Sequence, residues 1–315
     1  MSRPRARASA GIRCPGARIS DGERAGADNI PKRHHFVPEM LSKRFVDSDG
    51  KLYCYKKDAP ERGVFTGTPK NLFVQGHLYT AFNEDGTKDV LLEQKFSQLD
   101  SEANDIIEKI IVSVRKGQLP GLTEVEKRVW DLFHFVQWKR VPDSHGFYFT
   151  DENFGPVIQQ AKADYQEKYG PLTEEQEGWF QDPEWLKKYK QNVRVGMLAQ
   201  AGSRVREALS QKGLGIAIIS KPNKSFVIGS FPVVKFAHTG RADLTDSTVE
   251  VWLPISHDVA VTPAPISPMK EKAVYIRDSD VRKINEAILK QSTMIAGRSP
   301  KLIRSLTGDR GRCFI

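Results

Sequence analysis

The spacing of apolar residues predicts a helical stretch followed by a strand-rich stretch. Between Asp89 and Lys116, apolar side chains recur every three or four residues. This is the spacing of a helix face that packs on a core. The residues of the stripe are Leu92, Phe96, Leu99, Ala103, Ile106, Ile110 and Val114. The pattern therefore predicts a long amphipathic helix that ends at Gly117.

Capping residues predict where two further helices begin. Thr123 and Glu126 form a capping box, which favours a helix from this point to Arg140. This helix is expected to pair antiparallel with the first one. Asp182 followed by Pro183 is typical of an N-cap and a first helical residue, so a third helical region is expected there.

After Gly213 the pattern changes to short β-branched and apolar runs, which indicate an antiparallel sheet. The runs are 214–220, 225–229, 248–254, 258–261 and 273–276. Asp278 is expected to cap a final helix. Near the N-terminus, a short helix after Pro38 and an aromatic-rich strand at 51–56 predict a small α+β segment.

Together these elements predict an α+β fold with a small N-terminal α+β segment, a central helical bundle, a C-terminal antiparallel sheet and a final helix. We expect a single composite domain over residues 29–296. Its parts are a His-His subdomain at 29–87, a helical part at 88–212 and a β-rich part at 213–296. Residues 1–28 have few large apolar side chains and are expected to form a disordered basic arm. Residues 297–315 are expected to form a basic tail.

The charge of the chain lies mainly at its two ends. The formal net charge is +9, yet residues 45–297 carry 33 basic and 34 acidic side chains. The basic ends are therefore expected to contact nucleic-acid phosphates, and a folded cationic groove is not required. The Arg-rich start also fits an organellar transit peptide or translation from an over-extended start codon.

Several functional classes lack their usual signals in this sequence. No stretch approaches the ~18 consecutive apolar residues of a membrane span, and no secretory signal is evident. The isolated Cys14, Cys54 and Cys313 argue against a disulfide framework or a structural zinc site. The chain has no phosphate-binding Gly-Lys loop, no nucleophile elbow and no His-Glu-x-x-His motif. A cytoplasmic protein that does not associate with membranes is expected.

The strongest candidate for chemistry is the pair His34–His35, which lies in the basic and apolar run 31–41. Imidazole transfers protons and binds metals near neutral pH. The pair before Phe36-Val37-Pro38 resembles the opening of the nuclease finger named for its His-Asn-His residues. In that finger the first residue holds a divalent metal and the following histidine deprotonates the attacking water. The resemblance implies His34 as a metal ligand, for Mg, Mn or Zn, and His35 as the general base.

The resemblance to the nuclease finger is partial. Asn71 and His77 supply a later Asn and His, but about 36 residues separate His35 from Asn71. A helix is also expected where the finger forms a tight hairpin. The alternative is a buried histidine pair that bonds backbone carbonyls and organises the entry to the first helix.

Arg140 is a second candidate, since it ends a helix that also carries His134, Gln137 and Trp138. A guanidinium can bind a phosphate through two parallel hydrogen bonds. It can also simply complement the helix dipole, which is the favoured alternative. If the chain cleaves phosphodiester bonds of nucleic acid, Arg140 and Asn71 are expected to position the phosphate.

Several short motifs occur in a fixed order along the chain. They are His34-His35-x-Val37-Pro38-x-x-Leu41-x-x-x-Phe45, Gly50-x-Leu52-x-x-Tyr55, Pro69-x-Asn71, Leu78-Tyr79-Thr80, Arg140-x-Pro142, Phe226-Val227-x-x-Ser230-x-Pro232-Val233 and Leu253-Pro254-Ile255-Ser256. Their order resembles the mostly bacterial family catalogued as domain of unknown function 4238, over roughly residues 31–295. The resemblance implies one composite domain and no stated activity. It marks His34, His35, Pro38, Asn71, Arg140 and Ser230 as motif positions. Phe231 stands where the family often has an Asp.

The sequence thus leads to two functional hypotheses. The first is a metal-dependent phosphodiesterase that acts on nucleic acid, with His34, His35, Asn71 and Arg140 as its catalytic residues and His34 also as the metal ligand. The second is a non-catalytic protein that binds nucleic acid or a protein partner. In this second hypothesis the histidine pair is structural and the basic ends supply the affinity.

Overall fold

The computed structural model describes residues 32–83, 85–200, 202–237 and 243–309. The basic arm expected at 1–28 and the last residues of the expected basic tail lie outside these ranges. The helices are α1 (Glu39–Ser42), α2 (Leu91–Arg115), α3 (Glu124–Lys139), α4 (Pro142–His145), α5 (Asp151–Tyr169), α6 (Glu174–Trp179), α7 (Pro183–Ala199), α8 (Ser203–Ser210), α9 (Asp278–Gln291) and α10 (Pro300–Thr307).

The strands complete an α+β fold, which confirms the predicted fold class. They are β1 (Arg33–His35), β2 (Leu52–Lys56), β3 (Phe65–Gly67), β4 (Val74–Gly76), β5 (Ala81–Phe82), β6 (Lys88–Asp89), β7 (Gly213–Ile218), β8 (Ile228–Gly229), β9 (Val234–Phe236), β10 (Glu250–Pro254), β11 (Val259–Ala264), β12 (Glu271–Tyr275) and β13 (Met294–Gly297).

Contacts among these elements divide the chain into two compact units. Of the described residues, the first unit comprises 32–34, 76–83, 85–95 and 146–200. The second comprises residues 35–75, 96–145, 202–237 and 243–309. Each unit is assembled from separate stretches of sequence, and the chain passes from one unit to the other between the two histidines of the pair. The predicted boundaries at 87 and 212 stay a prediction.

The main predicted helices form near their expected positions. The apolar stripe of α2 is buried, and the side chain of Thr123 accepts a hydrogen bond from the Glu126 amide in the predicted capping box of α3. Within the second unit, Lys109 of α2 contacts Glu126 at 2.8 Å near the start of α3. Asp100 near the start of α2 contacts Arg140 at the end of α3 at 2.8 Å. These pairs show that α2 and α3 run antiparallel.

Two helical regions differ from the prediction. Helix α5 was not predicted because its apolar positions are sparse and Pro156 lies inside it. The region expected as one helix after Asp182 forms α7 and α8, and Gly202 lies before α8 at φ +54°. A Cβ on Gly202 would lie 2.2 Å from the Phe135 ring, so both its backbone angle and its packing require glycine.

The C-terminal strands form a five-stranded sheet in the order β12-β7-β11-β10-β9. Its pairings are antiparallel except that β12 runs parallel to β7, so the purely antiparallel sheet of the prediction is wrong in this detail. A second sheet has the order β3-β2-β13-β8. In it the predicted N-terminal strand β2 pairs antiparallel with β13, with Cys54 opposite Ala296. The N-terminal α+β segment therefore shares a sheet with the end of the chain.

The final helix of the prediction is not the last one. Helix α9 begins at Asp278, but Arg277 is its N-cap residue and no side chain caps it, so Asp278 lies in the first turn. Helix α10 then forms within the expected basic tail, because Ile303 is buried and anchors an amphipathic face. Among the described residues, no helix is both long and apolar enough to cross a bilayer.

His134 of α3 provides a pH test of the core of the second unit. Burial lowers the pKa of His134 to about 3. Its ring stacks on the Trp130 ring, with the ring centroids 5.9 Å apart. The unfolded chain binds a proton at this residue near pH 6.5 and the folded chain does not. We therefore expect stability to fall as the pH decreases from about 6.5 toward 3, by up to about 1.4 kcal/mol per pH unit from this residue.

The variant His134→Gln is expected to show a smaller loss of stability over that pH range than the parent chain. Urea unfolding at a series of pH values measures the difference. An identical pH slope in the two proteins would contradict the buried, neutral state of His134.

Candidate functional site

The two histidines of the motif lie on strand β1 and have different surroundings. Successive side chains of a strand point to opposite faces. The His34 side chain is fully buried in the first unit, whereas His35 is half-buried in the second unit. The pair is therefore two separate sites.

His34 holds a turn of the backbone in the first unit. The amide of Tyr79 donates a hydrogen bond of 3.0 Å to His34 Nδ1, and the two rings stack with centroids 5.5 Å apart. The side-chain amide of Gln191 on α7 donates to the carbonyls of His77 and Thr80 at 3.0 Å. His34 and Gln191 together fix the segment that precedes β5.

The hydrogen bond from Tyr79 determines where the His34 proton lies. It requires a lone pair at Nδ1, so the proton of the neutral ring is at Nε2. A Glu93 carboxylate oxygen lies 3.5 Å from the same Nδ1. A proton at Nδ1 would attract the Glu93 carboxylate but would prevent the hydrogen bond from the Tyr79 amide. The contact with Tyr79 is the shorter of the two, which favours the neutral ring.

This arrangement does not fit His34 as a metal ligand. A metal-binding histidine offers one bare nitrogen to the ion and donates the proton of the other to a carboxylate or carbonyl. In His34 the bare nitrogen already accepts from Tyr79, and the other nitrogen carries the proton. Across the described ranges, no group of three or more His, Cys, Asp or Glu side chains is arranged to hold a metal ion. The predicted divalent ion stays a prediction.

His35 lies beside a hydrogen-bond chain that links three parts of the second unit. The amide of the next residue, Phe36, donates to the Phe73 carbonyl at 2.9 Å. The Phe36 carbonyl accepts from the Gln137 side chain at 3.1 Å. Because both backbone groups of Phe36 are bonded, the position of His35 is fixed between α3 and the segment that follows Asn71.

Gln137 also connects this chain to a buried ion pair. Its side-chain oxygen accepts from Arg140 Nη2 at 2.8 Å. Arg140 is 1% exposed, and its two terminal nitrogens bind the two Asp100 oxygens at 3.1 and 2.8 Å. The guanidinium also lies 5.5 Å from the centre of the Phe96 ring. This two-pronged contact gives Arg140 a fixed orientation.

The charges of this site act on one another. Burial raises the pKa of Asp100, while the nearby charges of Arg140 and His35 act in the opposite direction. The charge of His35 also helps to lower the pKa of Glu39 on α1, after the larger effect of the Lys43 hydrogen bond. His35 is therefore within electrostatic range of two carboxylates.

Asn71 lies near this site on an exposed turn. It ends a short 3-10 turn at Pro69–Asn71, which contacts α1. Phe73, two residues later, has φ +56°, a backbone conformation that non-glycine residues rarely adopt. The structure thus brings the segments of His35, Asn71 and Arg140 together in the second unit, while His34 belongs to the first.

Ser230, the remaining polar motif position, lies in a different cluster. Its hydroxyl donates to Asp143 of α4, whose carboxylate also accepts from the Thr293 amide at 2.9 Å. Asp143 follows the Arg140-x-Pro142 motif directly. The acidic side chain of Asp143 therefore faces Ser230.

Comparison with known proteins identifies the family. The family model described as Protein of unknown function (DUF4238) matches residues 33–301. The chain belongs to the DUF4238 family. No curated protein and no solved structure matches the chain. The DUF4238 match begins at β1, so both histidines, Asn71, Arg140 and Ser230 lie inside it.

Sequence reasoning missed Asp100 and the role of Gln137. Asp100 lies four residues after Phe96 and next to Leu99, in the apolar stripe of α2. An acidic residue on an inward-facing helix surface needs a buried partner. That position was the available signal for an ion pair with Arg140.

The Arg140–Asp100 pair predicts a specific loss of stability. Arg140→Met removes the partner of a carboxylate that is only 21% exposed. We expect the free energy of unfolding to fall by about 3 kcal/mol, at the lower end for a broken buried pair because Asp100 keeps some contact with solvent.

The matched control is Arg128→Met, which changes an exposed arginine of the same helix. We expect it to change the free energy of unfolding by less than about 0.5 kcal/mol. Urea unfolding of both variants measures the difference. Equal losses would show that the ion pair has no special role in stability.

The proton position of His34 is a separate prediction. Nitrogen NMR of histidine-labelled protein is expected to show a bare Nδ1 and a protonated Nε2 at neutral pH. Addition of Zn²⁺ should leave both signals unchanged. An unprotonated Nε2 whose NMR signal shifts on addition of Zn²⁺ would instead support His34 as a metal ligand.

Proposed function

We propose that this chain hydrolyses phosphodiester bonds of nucleic acid with His35 as the general base. The observation that supports this proposal is the position of His35. It is a half-buried imidazole, held through Phe36 and within electrostatic range of Asp100, which pairs with Arg140. A general base must lie within hydrogen-bond reach of the water that it deprotonates, and the two backbone hydrogen bonds of Phe36 hold His35 in position.

In the proposed reaction, His35 takes a proton from a water molecule. The water oxygen forms a bond to phosphorus, the ester P–O bond breaks, and the leaving oxygen takes a proton from solvent. Lys70 and Asn71 are exposed on the turn near α1, and in this proposal they contact the phosphate. Phosphate oxygens accept hydrogen bonds from lysine and asparagine side chains.

Arg140 has a positioning role in this proposal. Asp100 occupies both of its terminal nitrogens, so the guanidinium is not presented to a phosphate. Through Gln137 it fixes Phe36 and hence His35. This role differs from the phosphate contact predicted from the sequence.

The alternative is a non-catalytic protein in which the histidine pair is structural. The full burial of His34 and its bond to the Tyr79 amide favour this role for one member of the pair. In this alternative the basic ends of the chain supply affinity for nucleic acid or for a protein partner.

The test compares His34→Ala with His35→Ala in the full chain. Cleavage of single- and double-stranded DNA and RNA is measured with Mg²⁺, Mn²⁺, Zn²⁺ or a chelator. We expect His35→Ala to lower turnover by about 100-fold or more with little change in melting temperature. His34→Ala is expected to lower the melting temperature, because it removes the acceptor for a buried backbone amide.

Two outcomes would contradict the catalytic proposal. One is intact substrate with every metal. The other is a His35→Ala variant that loses stability while deletion of residues 1–28 abolishes nucleic-acid binding, which is the result expected for the non-catalytic alternative.

A further inference from the structure

The second unit contains a cavity of about 720 Å³ that the proposed reaction does not use. It lies between the loop 222–225, the first turns of α9 and the segment from Arg298 through α10. Its volume is in the range of small-molecule binding sites. Neither His35 nor Arg140 lines it.

The lining of this cavity is strongly basic. Four basic side chains and one acidic side chain line it: Lys224, Arg282, Arg298, Lys301 and Asp278. Asp278 already contacts Lys221 at 2.9 Å and Lys224 at 3.5 Å. Among the residues that the structure describes, neither Arg298 nor Lys301 forms an ion pair with a carboxylate. The cavity therefore retains positive charge that no carboxylate of the described residues neutralises.

Arg298 is held in place by an uncharged partner. Its Nη1 atom lies 3.1 and 3.0 Å from the two ring nitrogens of His257. Burial is the largest effect that lowers the pKa of His257, so the ring is neutral near pH 7. The contact orients the guanidinium without cancelling its charge.

Arg282 borders the cavity from α9. Two contacts orient its side chain, one with a residue outside the cavity lining and one with a residue of the lining. Its Nε atom binds Glu286 on the next turn of α9 at 2.6 Å, and its Nη1 atom lies 3.2 Å from the Ser305 hydroxyl of α10. Ser305 also lines the cavity. A guanidinium and a hydroxyl thus border the space that Arg298 and Lys301 face.

We propose that this cavity binds a phosphate-bearing ligand, with Arg298 and Lys301 as its main contacts. A phosphate group carries the negative charge that the cavity lacks. Arginine binds phosphate oxygens through parallel N–H donors, and lysine adds a point charge. The phosphate can belong to a free nucleotide or to the backbone of a nucleic acid, and the two sources are distinguished below.

The test measures binding to the full chain by titration calorimetry. The probes are inorganic phosphate, a nucleoside diphosphate and a short single-stranded oligonucleotide. The double variant Arg298→Gln with Lys301→Gln is expected to bind about tenfold more weakly or worse, because two charge-assisted contacts are lost. The matched control is Arg304→Gln, which removes an exposed charge from the same helix outside the cavity.

Lys301→Gln alone separates binding from folding, since Lys301 is exposed and forms no ion pair with any residue of the described ranges. Loss of diphosphate affinity in this variant and in the double variant, with the control unchanged, would support a nucleotide site. If these two variants lose affinity for the oligonucleotide only, and the control is unchanged, the result would support a site for the nucleic-acid backbone. Absence of binding by all probes, or equal binding by the variants and Arg304→Gln, would overturn the proposal. Failure of the His35 proposal would leave these results unaffected.

Discussion

The arrangement of the candidate site depends on the buried ion pair between Arg140 and Asp100. A guanidinium that is almost fully buried must be paired, because an isolated charge in the interior is very costly. Here the pairing is two-pronged, and the remaining contact of Nη2 reaches Gln137. Since Gln137 in turn holds the Phe36 carbonyl, the orientation of two long helices is transmitted to the residue that follows His35. The site is therefore positioned by helix packing and not by local sequence.

Strand geometry explains why the two histidines have different surroundings. Neighbouring side chains of a strand point to opposite faces, and His34 belongs to the first unit whereas His35 belongs to the second. The buried ring accepts a backbone hydrogen bond and holds Tyr79. The half-buried ring lies within electrostatic range of Asp100 and Glu39. The proposed function thus assigns a structural role to one of two adjacent identical residues and a chemical role to the other.

Much of the fold could be predicted from patterns among residues that are close together in the sequence. The α2 stripe and the Thr123 capping box depend on residues a few positions apart, and the structure has both. The pairing of β2 with β13 joins residues more than two hundred positions apart, and nothing in either strand encodes its partner. Distance in sequence also explains why the candidate site was only partly predicted. His35, Asn71 and Arg140 were found as residue types, whereas the contact between Asp100 and Arg140 depends on how α2 and α3 pack.

The fold also changes how the charge of the chain is understood. Counting residues assigns the basic C-terminal end to a tail, where its charges would be solvated and non-specific. Burial of Ile303 folds the first part of that end into α10, which brings Arg298 and Lys301 to one cavity with Arg282. Charges on a fixed surface act together on one ligand, whereas charges on a flexible segment act independently. The apolar anchor of a short helix therefore converts part of an unspecific basic end into a defined basic site.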